Sequence, residues 1–171
     1  MFGLLFALAL DPCALLPETD VRQIFEVPAN TPVRQVRADS CTYIWIGLPP
    51  STAELRAALR SGRKWPSRDT ESVSLRIEPL AKPLAEIESR FDKLAKGYNV
   101  DRDGEQRVVK PQQIAWVGGL GEKAYWNASL SQLVVARKDA LISVVVKRAA
   151  LKPEDLAGLA QTIAQSVLRK Q

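Results

Sequence analysis

A chain of 171 residues and 18.9 kDa fits one domain and is long enough to bury a core without a metal staple. Its composition, 46% hydrophobic and 25% charged with a net charge of +5, excludes a disordered tail, a collagen-like rod and a coiled coil. It contains no histidine, which excludes Ser-His-Asp and Cys-His dyads, histidine bases and histidine-ligated metal sites built from this chain alone.

Residues Phe2 to Leu10 form an uncharged apolar run, FGLLFALAL, too short to cross a bilayer core and matching the apolar segment of a signal peptide. Ala7-Leu8-Ala9 resembles a small-x-small cleavage pattern, although no positively charged segment precedes the run. Residues 1–10 are therefore expected to be a residual export segment and 11–171 a single α+β domain. The alternative is that the run packs on the domain as an ordinary first element. Asp11 and Pro12 stand where lipid attachment at Cys13 would need small residues. Cys13 and Cys41 are the whole thiol inventory. In an exported chain they are expected to form one disulfide, and in a reducing cytosol they would be two buried thiols. Closing a loop of roughly 28 residues would remove denatured-state entropy worth about 3–4 kcal/mol.

From Pro17 to Phe25 the acidic start and the shared face of Val21, Ile24 and Phe25 predict a short helix. Cys41 to Leu48, CTYIWIGL, is apolar at both parities and predicts a central strand covered by helices above and below. Pro49-Pro50 stops it, and Ser51 with Glu54 forms a capping box for a helix to about Leu59. Val73, Leu75 and Ile77 alternate with polar residues, as in a half-buried strand. Pro83 opens a helix to Lys96 with Leu84, Ile87, Phe91 and Leu94 at helical spacing. Residues 97–111 read as a polar loop containing the Asp103-Gly104 turn signal. Strands are expected at Ile114–Val117, Ala124–Asn127, Leu130–Ala136 and Leu141–Lys147, linked as antiparallel hairpins. Pro153, Glu154 and Asp155 start a last helix to Arg169. The order predicts an α+β fold, one antiparallel sheet of about 5–7 strands flanked by helices.

The run Asp11-Pro12-Cys13-Ala14-Leu15-Leu16, followed by an acidic helix start, resembles the opening of a family of small bacterial cell-envelope domains, secreted or lipid-anchored. Cys41-Thr42-Tyr43-Ile44-Trp45 is similar to that family's second cysteine on an aromatic strand. Gly119-Leu120-Gly121-Glu122-Lys123-Ala124-Tyr125-Trp126 resembles its glycine turn and aromatic segment before the final hairpin. The resemblance implies a Cys13–Cys41 disulfide and a PsbP-like α/β/α sandwich. It carries no activity.

Candidate sites are few. Arg60, Arg63, Lys64 and Arg68, with Trp65 among them, could grip a phosphate-bearing or sugar polymer, since cations attract and an indole stacks. Glu54, Asp69 and Glu71 dilute that patch, and the modest charge argues against nucleic acid. Tyr43, Trp45, Trp116 and Trp126, with Tyr125, could line an apolar pocket or belong to the core. Gly118-Gly119-Leu120-Gly121 reads as a tight turn with Leu120 in the core, not as a phosphate cradle. Asp101, Asp103 and Glu105 lack the spacing of a calcium loop, and Asn127-Ala128-Ser129 has the form of a glycosylation acceptor.

These features point to an extracytoplasmic, non-enzymatic domain, without cofactor or metal, that binds a partner protein or envelope component. Peripheral membrane association is compatible with that role. The alternatives are a carrier of a small apolar ligand and a histidine-independent hydrolase. The disulfide is directly testable: reduction should add two hydrogens to the mass of the oxidised chain. Two freely alkylated thiols in exported protein would overturn it.

Overall fold

The computed structural model describes residues 11–47, 51–61, 70–102, 105–148 and 151–170. The N-terminal half begins with two helices, α1 (Pro12–Leu15) and α2 (Glu18–Phe25), then strands β1 (Val33–Arg37) and β2 (Cys41–Ile46). Helix α3 (Thr52–Ser61), strand β3 (Thr70–Pro79) and helix α4 (Pro83–Lys96) follow. Next come β4 (Tyr98–Arg102), β5 (Glu105–Val109), β6 (Ile114–Val117), β7 (Lys123–Asn127), β8 (Gln132–Arg137), β9 (Ala140–Lys147) and helix α5 (Pro153–Arg169).

Seven strands form one antiparallel sheet in the order β1-β2-β3-β9-β8-β7-β6, which fulfils the α+β expectation. The chain builds three strands, crosses by α4 to the far edge, and meanders back until β9 pairs with β3. Alternation then assigns the faces. Cys41, Tyr43, Val73, Leu75, Ile142, Val144 and Val146 point to one face, under α1, α2 and α5. Tyr125, Val134, Ala136 and Leu141 point to the other, under Ile87, Phe91 and Leu94 of α4.

The first layer is fastened covalently and by polar contacts. Cys13 and Cys41 are joined as a disulfide that ties α1 to the start of β2. The Tyr43 hydroxyl donates to the Leu16 carbonyl at 2.8 Å and accepts from Gln35 Nε2 at 2.9 Å. Burial pushes that phenol above its ordinary pKa, which keeps its proton available for the donation. Arg22 of α2 donates to the carbonyls of Pro28 and Thr31, shaping the approach to β1. At the other end Lys170 donates to the Leu15 carbonyl and pairs with Asp20.

Three expectations need correction. Residues 97–111 are not a loop: β4 and β5 form a two-stranded hairpin outside the main sheet. Its alternation is too polar to mark a core-facing strand. Strand β1, VRQVR, has no counterpart in the sequence reading, because an edge strand with mostly exposed side chains shows no apolar period. Strand β2 is not covered above and below. It lies one strand from the edge, with Cys41, Tyr43 and Trp45 buried and Ile46 60% exposed. The apolar run 2–10 and the Pro49-Pro50 stop lie outside the described residues.

On the second face, Arg90 of α4 donates to both Glu78 carboxylate oxygens, at 2.9 and 3.1 Å, and to Glu86 at 2.7 Å. The Arg90 hydrogen bond holds the Glu78 carboxyl below its ordinary value of 4.5. A lowered folded value means stability that is full above the ordinary carboxylate range and is lost as pH falls through the folded value. Glu78→Gln should therefore destabilise the domain at neutral pH, and the difference from wild type should shrink as pH falls past the ordinary 4.5 and vanish only below the lowered folded value. Urea denaturation across a pH series measures this; a difference independent of pH would show that the ion pair does not couple α4 to the sheet.

Candidate functional site

The sequence nominates two groups of residues, and the structure disperses one of them. Tyr43 and Trp45 lie in the core beneath α2, where Trp45 meets the Phe25 ring edge-on at 5.0 Å. Trp126 belongs to the same core. Trp116 does not, because it pairs with Tyr125 across β6 and β7 and so faces the opposite side from Trp126. There it stacks on Phe91 at 4.0 Å, with the Lys123 ammonium 4.4 Å from its centroid, and is 43% exposed. The four aromatics therefore do not converge on one apolar pocket. Two are core beside the disulfide, one is core near β8, and one brackets the end of α4.

Of the basic group, Arg60 lies exposed in the last turn of α3, while Arg63, Lys64, Trp65 and Arg68 fall outside the described residues. Asp103 and Gly104 fall outside them too. Among the described residues no group of three or more His, Cys, Asp or Glu side chains could hold a metal ion. The glycine turn is a packing device as read: Leu120 is buried, and the Glu122 N–H bonds the Ala136 carbonyl at 2.9 Å. Gly121 has φ +54°, and a side chain there would collide with that same carbonyl. Asn127 is fully buried, donating to Gln112 and accepting from the Leu130 N–H, so it is closed to glycosylation in the folded domain.

Among the acids, Glu71 stands apart, being buried beside the start of β3. Its carboxylate accepts the Trp45 indole N–H at 2.9 Å and meets Arg148 Nε at 3.3 Å. Gly47 passes so near that a Cβ would sit 2.8 Å from Glu71 Oε1. The carboxylate is committed to tying β2, β3 and the end of β9 together.

What the sequence reading missed is the half of the second face that no helix covers among the described residues. Register places Arg34, Ile44, Ser72 and Lys147 in one row across β1, β2, β3 and β9. The next row is Val36, Thr42, Ser74 and Val145, and Ile46 with Thr70 lies beyond the first. The Thr42 and Ser74 hydroxyls bond at 2.9 Å, which confirms the shared face. Ile46 is 60% and Val36 40% exposed, on β2 and β1, separated by β3 from the strands that α4 covers. Arg76 of the same face pairs with Asp39, both largely exposed, whereas Arg34 and Lys147 have no ion-pair partner among the described residues. The surface mixes apolar side chains, Val36, Ile44, Ile46 and Val145, with hydroxyls at its centre and cations at its margins. The only legible sign was the lysine ending the LISVVVK strand.

Removing the Glu71 side chain tests the closed core on which this surface rests. Glu71→Ala leaves an indole N–H and a partly buried guanidinium without their acceptor, and should cost about 2–4 kcal/mol in urea denaturation. Glu71→Gln keeps an acceptor for Trp45 and should cost less. Equal losses, or a loss within error for alanine, would remove Glu71 from that role.

No family model, curated protein or solved structure matches the chain, so its function is argued from its own chemistry.

Proposed function

We propose that the chain is a non-catalytic, extracytoplasmic binding domain that docks a cell-envelope partner protein on the uncovered half of its sheet. The observation that carries this reading is the asymmetry of the sheet. Among the described residues, three helices cover one face, and α4 packs on the β6–β9 part of the other and reaches β3 through Arg90 and Glu78. A sheet normally buries its apolar face against another layer, so exposed Ile46 and Val36 beside a covered region mark a place where a layer can be added. The carrier reading draws less support, because Tyr43, Trp45 and Trp126 are packed into the core with the Tyr43 and Trp45 polar atoms bonded. Placement outside the cytoplasm is supported by the disulfide, by the apolar run 2–10 and by the resemblance to cell-envelope domains.

A photoreactive residue at Ile46 should give one discrete adduct in an envelope fraction, and the same residue at exposed Val108 of the hairpin should not. The captured protein, once purified, should bind the isolated domain and lose at least about tenfold in affinity to Ile46→Asp. Equal labelling at both positions, or none at Ile46, would overturn the proposal.

A further inference from the structure

We infer that the occupant of the uncovered half-face is an amphipathic helix of the partner, apolar along one side and carrying carboxylates on both flanks. The inference rests on the docking reading above and adds the chemistry of the partner.

The first argument is dimensional. Arg34 on β1 and Lys147 on β9 are separated by three strand spacings, about 14 Å. An α-helix with its side chains is about 10–12 Å across. A helix lying along β2 and β3 would sit over Ile44, Ile46 and the hydroxyl row, with Arg34 on one flank and Lys147 on the other. It would lie in the same layer as α4, which already packs on the adjacent strands.

The second argument is charge. Cations on an edge strand guard against accidental strand pairing, and Arg34 could be read that way. Lys147 is on an inner strand, paired with Ser72 of β3, although the β8 ladder ends two residues earlier at Gln132 and Val145. A lysine and an arginine without acidic partners among the described residues, flanking a strip with exposed apolar side chains, complement carboxylates supplied from outside. The chain's own α3 is a poor match, since its residues Glu54, Arg56 and Arg60 leave it net positive.

The experiment uses three labelled synthetic peptides of equal length, titrated against the intact domain by fluorescence anisotropy. One is a helix-forming peptide with a leucine stripe and glutamates on both flanks. The second replaces the glutamates with lysines, and the third keeps them but carries a central proline. The first should bind at least about tenfold more tightly than either other, and weaken with salt. The double variant Arg34→Glu, Lys147→Glu should lose about tenfold for it, and Lys138→Glu in the β8–β9 turn should change nothing. Amide shifts should concentrate at residues 42–46 and 70–76. Equal binding of the lysine peptide, or indifference to the double variant, would overturn the acidic chemistry. Equal binding of the proline peptide would overturn the helix, and contacts from Ile44 and Ile46 to α3 in the free domain would make that helix the occupant instead. If a captured partner is lost with Ile46→Asp yet indifferent to the double variant, docking stands and the acidic helix falls.

Discussion

The ladder between β3 and β9 joins parts of the chain that are otherwise separate sheets. On one side stand β1 to β3, built early in the sequence; on the other stands the meander of β6 to β9. Eight residue pairs, from Ser72 with Lys147 to Pro79 with Ala140, hold them in register. That register decides which side chains meet. Val73, Leu75 and Ile77 oppose Val146, Val144 and Ile142 beneath α5, while Ser72, Ser74 and Arg76 oppose Lys147, Val145 and Ser143. A slip of one residue would exchange the two sets and bury the lysine. The sealed core and the open surface are therefore two outcomes of one pairing. Pairing residues so distant in sequence closes a long loop, and the strong local signals of α4 and α5 supply structure for it to close upon.

How much of this was legible depended on whether a residue's environment is set locally. Helices α4 and α5 and the β6–β9 meander match their sequence patterns to within a residue or two, because apolar periodicity and turn glycines are local properties. The disulfide was legible because only two cysteines exist. Strand β1 and the β4–β5 hairpin were not, since neither presents a regular apolar face to a core. Ile44 and Ile46 misled for a related reason. An isoleucine has high strand preference whether or not a helix covers it, so its identity cannot report a missing layer. The dispersal of the aromatics is a matter of parity: Trp116 and Trp126 look alike in sequence, and only the β6–β7 register sends them to opposite faces. The row linking Arg34 to Lys147 needs three ladders at once, and no linear pattern encodes that.

Buried polar groups show the same division between closed and open. Glu71 and Asn127 are both committed to partners, and no buried side-chain nitrogen or oxygen among the described residues lacks one. A satisfied interior leaves recognition to exposed chemistry. The strip combines exposed apolar side chains, Ile46 and Val36, with two cations, Arg34 and Lys147, that have no ion-pair partner among the described residues. Trp116 also combines an apolar ring with a cation, but Lys123 beside it is paired with Glu88.

The Cys13–Cys41 bond has a mechanical consequence. Residues 14–40, which contain α2 and β1, lie inside the covalent loop it closes. Tension applied to the chain ahead of Cys13 cannot stretch that segment in series. The force passes through the sulfurs directly to the first residue of β2, an inner strand hydrogen-bonded on both sides. Reduction would reroute the same pull through α2 and the edge strand β1, which is paired on one side only. One covalent bond thus determines whether the domain meets a pull with its sheet or with its periphery.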